Sequence, residues 1–552
     1  MSSSMPAARA AALSACLLLL ATACTGDEAS EGPEATATAA SDEATEEESS
    51  TPEAGPASFE DESKVLDVAV SEPNSLDPMR IQDPASVLIA RQLYEGLTRW
   101  DGAGGEVRPA AAEEIEVSRD SRTFTFTLRE GATFHNGDPV TAQDFAFAFD
   151  RIALKRNGAD VAYLLELVEG FDDVNAFGDA KSLEGIKTPD ARTLVIELSE
   201  PYANFPAVLT HPSLVPLPEK AFAATKDFTS EPIGNGPFEL AQPFELSAPV
   251  VLRAVEGHFE EPTIEGIRFL PFPDAASSWV PFTDDQLDIT EVPTTRFDQA
   301  GEQYGEDGFV SLLVGSYYGF NLDSDQLDSV RKRRAINYAL DREAIATDIF
   351  AGTLQPPRGI VPAGMPGFDE DVCDELCEFD ARAARQLVRK LPPKRRDVTL
   401  EYTREQPQRR VARAVGGYLE DAGLNVKQRA FPFERFLKRL SDGDHSMYRL
   451  GWIGEYPDPD VFLSALFDSE SPDNHSALTS KRIDSRLAKA QRERDEEVRL
   501  RLYRRIEEDI LEQAPLAPLG SFRMFWAAAP RVESIAFDVL GGFDAAPISL
   551  ED

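Results

Sequence analysis

The spacing of hydrophobic positions changes several times along this chain, and each change marks an element. Val65 to Val70 is a short apolar run, which predicts a buried strand. Thr123 to Leu128 alternates strictly, predicting a half-buried strand with Phe124, Phe126 and Leu128 on one face, and Leu194, Ile196 and Leu198 mark another. Between them Asn136-Gly137 signals a tight turn. Thr141 and Asp144 then have capping-box spacing, and Phe145, Phe149 and Ile152 recur on one helical stripe. Farther on, Arg331 to Phe350 reads as one helix with Ile336, Ala339 and Ile345 inward, and Val398 to Tyr402 as a strand. Gln355 to Gly367, rich in Pro and Gly, predicts an irregular loop between them. Val498, Leu502, Ile506 and Ile510 stack at four-residue intervals on a long charged helix closed by Pro515. Strands and helices mixed without a regular βαβ spacing predict α/β lobes that the chain crosses more than once.

The N-terminus follows another pattern. Met1 to Arg9 carries one positive side chain, and Ala10 to Ala23 is an unbroken small or apolar run that includes Leu17 to Leu20. Those 14 residues rise only about 21 Å as a helix, against a hydrocarbon core of roughly 30 Å. A signal peptide over 1–23 is therefore expected rather than a membrane span. The run ends Leu20-Ala21-Thr22-Ala23-Cys24, which resembles a bacterial lipobox, although Ala21 stands where that pattern usually has Leu. The resemblance implies that the Cys24 thiol is acylated and that the protein is anchored through lipid. A soluble secreted protein with an incidental Cys24 is the alternative. From Asp27 to Glu62 there are 13 acidic residues and no Lys or Arg, so 24–62 is expected to be a disordered, self-repelling tether.

Composition narrows the function further. The 552 residues carry 97 acidic against 55 basic side chains, a net charge of −42, which argues against a nucleic-acid partner. A hydrophobic content of 42% is enough for substantial cores, and the length suggests more than one domain. Four cysteines are too few for a disulfide scaffold, and none of the five histidines form an i, i+4 pair, which excludes an HExxH metalloenzyme. There is no GxSxG, GxxxxGK[ST] or GxGxxG sequence, so no catalytic residue, metal or cofactor is expected. Cys373 and Cys377 enclose three residues, and in an exported protein a small disulfide loop is expected, with two free thiols as the alternative. Asp323, Asp325 and Asp328 lack the glycine of a calcium loop. The basic run Arg331 to Arg334 is expected to be a solvated face.

Seven segments then fall into one order. They are Glu72-Pro73-Asn74-Ser75-Leu76-Asp77-Pro78, Gln92-Leu93-Tyr94-Glu95-Gly96-Leu97, and Phe134 to Ala142 around His135-Asn136-Gly137. Pro232-Ile233-Gly234-Asn235-Gly236-Pro237-Phe238 and Gly319-Phe320-Asn321-Leu322 follow. Arg334 to Arg342 and Gly451-Trp452-Ile453-Gly454-Glu455-Tyr456-Pro457-Asp458-Pro459-Asp460 close the set. Over residues 65 to about 515 this series resembles the family 5 extracellular solute-binding proteins, the oligopeptide and dipeptide receptors of ABC importers. The resemblance implies an α/β, two-lobe periplasmic-binding-protein-like fold (type II, Venus flytrap) with an extra α/β domain inserted in lobe one. Lobe one would comprise 63–105, 231–312 and 516–552, the extra domain 106–230, and lobe two 313–515.

It also implies a receptor rather than an enzyme. The expected partners are a short peptide and the transmembrane subunits of an ABC permease, the protein being a monomer on the extracytoplasmic face of the membrane. In peptide-binding members a carboxylate in a Trp-x-x-Asp-Tyr motif pairs with the ligand's α-ammonium. Glu455 holds that position here, one methylene longer, with an exposed or Arg-paired glutamate as the alternative. Trp452 and Tyr456 flank it as flat apolar walls, or as core. Pro73 and Asn74 resemble the segment whose backbone pairs with an extended peptide. Tyr317, Tyr318, Phe320 and Asn321, on the strand entering lobe two, would line the cleft floor or pack the hinge. Gly234 to Phe238 would form a close-approach turn, and Asp458 and Asp460 would cap turns. A nonpeptide solute (sugar, opine, metal chelate or haem) remains an alternative ligand, and an anchored hydrolase using Glu455 and Asp458 a more distant one.

Overall fold

A computed structural model describes residues 58–551 apart from 103 and 225–227. The expected signal peptide, Cys24 and the tether as far as residue 57 lie outside the described residues.

One large sheet runs through the molecule. Its strands, in spatial order, are Asn425–Phe431, Asp397–Thr403, Met447–Ile453, Phe309–Phe320, Leu516–Ala528, Ile289–Glu291, Val65–Val70, Gly266–Pro271, Val250–Ala254 and Phe238–Leu240. Leu354–Gln355 adds to the side of Leu516–Ala528. The two central strands are long and antiparallel, and they belong to both halves. Phe309 to Ser311 pairs with Phe525 to Arg523, and Gly315 to Gly319 pairs with Ser521 to Leu516. Between the two stretches the register slips, at Leu312 to Val314, so a bulge lies where one half passes into the other.

Each half has its own core. Leu66, Val68, Leu252, Ile267 and Phe269 are buried in one, and Tyr318, Ile336, Leu400, Val411 and Leu519 in the other. The strand Val65–Val70 pairs in parallel with Gly266–Pro271 and is buried on both faces, Leu66, Val68 and Val70 in one apolar cluster and Ala69 in another. The long helix Glu496–Gln513 buries Tyr503, Ile506, Glu507 and Ile510, while Val498 and Leu502 are only half-buried. The apolar stripe is thus turned slightly from the one expected.

A separate four-stranded antiparallel sheet, Ala112–Val117, Thr123–Leu128, Thr193–Glu197 and Ile186–Lys187, carries the alternating pattern. Phe124, Phe126 and Leu128 are buried on one face, against Phe145, Phe149 and Ile152 of the helix Ala142–Ala153. At that helix's start the Asp144 carboxylate accepts from the Thr141 N–H at 2.9 Å and its hydroxyl at 2.6 Å, as the spacing predicts.

Two expectations are corrected. Arg331 to Phe350 is two helices, Val330–Ala339 and Arg342–Asp348, because the Asp341 carboxylate accepts the Ala344 N–H and starts a second helix. Only half of the basic run is a solvated face: Arg331 and Arg334 are exposed. Lys332 and Arg333 are buried, with the Lys332 ammonium donating to the Asp397 carbonyl and the Arg333 guanidinium to the carbonyls of Gln513 and Ala514. The guanidinium satisfies carbonyls orphaned where the long helix ends. Cys373 and Cys377 are disulfide-bonded, their Cα atoms 5.6 Å apart.

Candidate functional site

The strand Met447–Ile453 ends beside the bulge of the central strand, where the Gly454 N–H donates to the Leu313 carbonyl at 2.7 Å. This contact fixes where the following loop leaves the sheet. Glu455 is the first side chain beyond it, so a carboxyl group is delivered next to the passage between the halves.

Glu455 meets residues from the four-stranded-sheet region rather than from its own half. The Tyr163 hydroxyl donates to it, and His211 Nε2 lies 4.0 Å from Oε2. The side chain is only 23% exposed, and burial pushes its pKa above the ordinary carboxylate range, against the pull of the Tyr163 hydrogen bond. Burial also holds His211 down to about 4, so the imidazole is neutral near pH 7 and brings no positive charge. No Lys or Arg lies within 4.0 Å of Glu455 among the described residues. The site therefore presents a largely enclosed acid that lacks a cation.

The neighbours expected from sequence divide into two groups. Tyr456 packs against the first core, and Trp452 against a third apolar cluster that includes Leu313, Phe462 and Tyr503, its indole N–H donating to the Val461 carbonyl at 2.7 Å. Both stay partly exposed beside Glu455. Asn74 is exposed and Pro73 buried, and the Asn74 N–H is engaged by the Ser86 hydroxyl at 3.1 Å and by Asp83 at 3.3 Å. That amide is spent on holding the loop rather than left for a ligand strand. Tyr318 and Phe320 are fully buried among Ile336, Leu400 and Leu519, so their side chains pack the core and do not line a cleft. Tyr317 is 6% exposed, edge-on to Tyr448. Asn321 is a bracket: its amide donates to the Gly443 and His445 carbonyls, and its oxygen accepts the Asp323 N–H. On a strand covered on both faces, alternation cannot separate floor from core.

Asp458 and Asp460 are both buried and serve structure. Asp458 accepts the Asp460 N–H at 2.8 Å and a hydrogen bond from the Asn204 amide, with Arg499 Nε at 3.8 Å. Asp460 accepts from the Ser464 and Tyr503 hydroxyls. Tyr163, Asn204 and His211 are the site neighbours that no motif signalled, because each comes singly from a turn or, for Tyr163, the short 3-10 helix Ala162–Leu165, remote in sequence. Gly234 and Gly236 lie over the end of the helix Pro84–Leu93: a Cβ on Gly234 would stand 2.0 Å from the Leu93 carbonyl oxygen. Asn235 between them exchanges two hydrogen bonds with the Glu95 backbone, at 3.0 and 2.9 Å.

Two α/β lobes joined by a pair of shared strands, with an acidic loop leaving the sheet at the joint, define a two-lobe solute-binding protein of the Venus-flytrap type. The chain belongs to the bacterial extracellular solute-binding proteins, family 5, whose middle region matches residues 106–474. It is 26% identical over 495 residues to the oligopeptide-binding protein OppA of Bacillus subtilis (strain 168), covering 84% of this chain and 88% of that protein. The dipeptide-binding protein DppE of the same organism is 27% identical over 497 residues, covering 86% of this chain and 89% of DppE. Among solved structures, the periplasmic murein tripeptide binding protein MppA in its unliganded open form superposes with a TM-score of 0.79 at 22% identity, covering 89% of this chain and 98% of that one.

Proposed function

We propose that this protein captures short peptides between its lobes and hands them unchanged to the membrane permease of an ABC importer. Its relatives OppA and DppE are peptide-binding proteins by name, which supports the ligand class. The observation that carries the reading is Glu455, an enclosed acid with no cationic partner within reach among the described residues. An incoming α-ammonium supplies that partner. It lowers the carboxyl pKa, forms charge-assisted hydrogen bonds and is shielded from water once the lobes close. Trp452 and Tyr456 would border the first side chain, Pro73 and Asn74 would offer their carbonyls, and Tyr317 would contribute packing. A receptor of this kind works by closing on its ligand and presenting a shape the permease distinguishes from the open one, so no chemical step is needed.

The same proposal includes the division of the chain into 63–105, 231–312 and 516–552 for lobe one, 106–230 for the extra domain and 313–515 for lobe two. It includes export, with Cys24 acylated and 24–62 as the tether that holds the body off the extracytoplasmic face, its last residues returning to the body where the Asp61 N–H donates to Glu265 at 3.0 Å and Glu62 pairs with Arg268 at 2.8 Å.

Calorimetric titration with di- to pentapeptides tests the ligand class: saturable heat is expected, and none with free sugars. Glu455→Gln should weaken peptides with a free amino terminus by about 1.5–3 kcal/mol and leave N-acetylated peptides unchanged. Equal affinity of the two proteins for free-amine peptides would remove Glu455 from the site.

A further inference from the structure

Beside the peptide site lies a second feature that Glu455 does not account for. A partly open cavity of about 50 Å³ sits between the end of the helix Pro84–Leu93 and the turn at 210–212. That is room for a cationic head group or a few water molecules. Glu95, Arg99, His211, Glu260, Asp544 and Arg91 supply its polar lining.

The charges around it are unevenly matched. Arg99 is paired through Nη1 with Glu260, and Arg91 Nη2 holds Asp538 at 2.6 Å and Asp544 at 2.8 Å, while Arg91 Nη1 and Arg99 Nε have no hydrogen-bond partner among the described residues; even so, the two guanidinium groups face four carboxyls, those of Glu95, Glu260, Asp538 and Asp544. The Glu95 side chain is left over. It is only 6% exposed, and its carboxyl has no hydrogen bond or ion pair among the described residues. Burial, helped by the charges of Glu260 and Asp544, pushes it up to about 8, while Arg99 and Arg129 pull the other way. Burial outweighs those two cations, and the acid makes no direct contact with either.

His211 joins this cavity to the peptide site, because the imidazole that lines the cavity also places Nε2 4.0 Å from Glu455. A lysine side chain spans about 6 Å from Cα to Nζ, enough to pass an imidazole. We propose that the cavity is a subsite for a cationic side chain of the bound peptide, with Glu95 as its counter-ion. The proposal rests on the peptide-binding reading and adds a side-chain preference to it. When the cation arrives, Glu95 gives its proton to solvent and becomes the carboxylate of an enclosed ion pair.

The test compares Lys-Ala-Ala with norleucine-Ala-Ala, which differ in the terminal charge, by calorimetry at pH 7 in two buffers of different ionisation enthalpy. The lysine peptide is expected to bind at least about tenfold more tightly. It should also release up to about 0.9 proton more than the norleucine peptide, the fraction a group at about 8 still carries at pH 7. Glu95→Gln should abolish both differences and leave norleucine-Ala-Ala unchanged. Asp544→Asn, altering a residue 33% exposed at the rim, should reduce the preference in a protein whose floor is intact. Equal affinities, or a lysine preference and proton release that survive Glu95→Gln, would overturn the subsite while leaving peptide binding in place. Failure of every peptide to bind would overturn both readings, and that outcome is distinct from equal affinities.

Discussion

At the scale of single residues, burial decides which carboxyls carry pH dependence. Glu507, on the long helix, is 1% exposed, and its Oε1 accepts the Ile360 and Val361 N–H groups at 2.5 and 3.0 Å. Burial still outweighs those bonds and lifts its pKa to about 7. The folded state therefore holds this proton more tightly than the unfolded chain, and the stability linked to it is full below about 4.5, lost as pH rises, and gone above about 7. Glu507→Gln keeps an oxygen for both N–H groups and removes the charge. Chemical denaturation should show the variant more stable than the parent at pH 8, by up to about 3 kcal/mol, and similar to it at pH 4. A parent that is the less stable protein at pH 4 would contradict this. The same dependence on surroundings limited what individual residues revealed in the sequence. Glu455, Trp452 and Tyr456 travel in one motif and so arrive together. Tyr318 and Phe320 share a strand whose two faces are both covered, where an aromatic in the core and one in a cleft have the same spacing. His211 and Tyr163 carry no pattern at all, since what makes them neighbours of Glu455 is tertiary contact.

At the scale of elements, the legible parts were those with a local cause. The Thr123–Leu128 strand and the Ala142–Ala153 helix follow from period and cap alone. Hydrophobic spacing continues across Leu340 and Asp341 and so predicts one helix, while the Asp341 carboxylate restarts the hydrogen bonding and makes two. Lys332 and Arg333 differ for a related reason: a cationic run reads as surface, but here Lys332 meets the Asp397 carbonyl at a strand start and Arg333 the helix-end carbonyls of Gln513 and Ala514, which only the fold supplies. Glycine makes the same point quantitatively. Gly236→Ala would put a Cβ 2.6 Å from the Gln92 carbonyl oxygen, backbone that cannot swing aside, and should cost several kcal/mol by thermal or urea unfolding. Gly417 lies within the helix Gln408–Asp421 with nothing inside 4 Å of its added Cβ. Gly417→Ala should instead stabilise by about 0.5–1 kcal/mol. Equal effects at the two positions would show that the close approach over the first helix is not tight.

At the scale of the whole molecule, the chain order of the motifs conveyed two lobes, but the contacts that hold the lobes in relation to each other were invisible, since they join loops with no shared pattern. Besides the central strands there is a second line of contact, in which the region of the four-stranded sheet leans on the half that carries Asp458, Gln491 and Arg492. The Ala203 N–H donates to the Gln491 carbonyl at 2.6 Å, the Ser121 hydroxyl to the Arg492 carbonyl at 3.2 Å, and the Asn204 amide to the buried Asp458. The last of these differs from the others. Asp458 is 1% exposed and its nearest guanidinium nitrogen is 3.8 Å away, so removing the Asn204 donor leaves a buried carboxyl under-satisfied. Asn204→Ala should cost about 1–3 kcal/mol, and because the bond spans the two parts, the cost falls on their association rather than on either part alone. The populations shift accordingly toward arrangements in which the lobes are farther apart. Small-angle scattering of the ligand-free protein should give a larger radius of gyration, and peptide affinity should fall by about tenfold for each 1.4 kcal/mol lost from the associated form. The far-ultraviolet dichroism should not change, since neither sheet depends on this bond. A variant with the parent's scattering profile and affinity would show that the shared strands alone set the relation of the lobes.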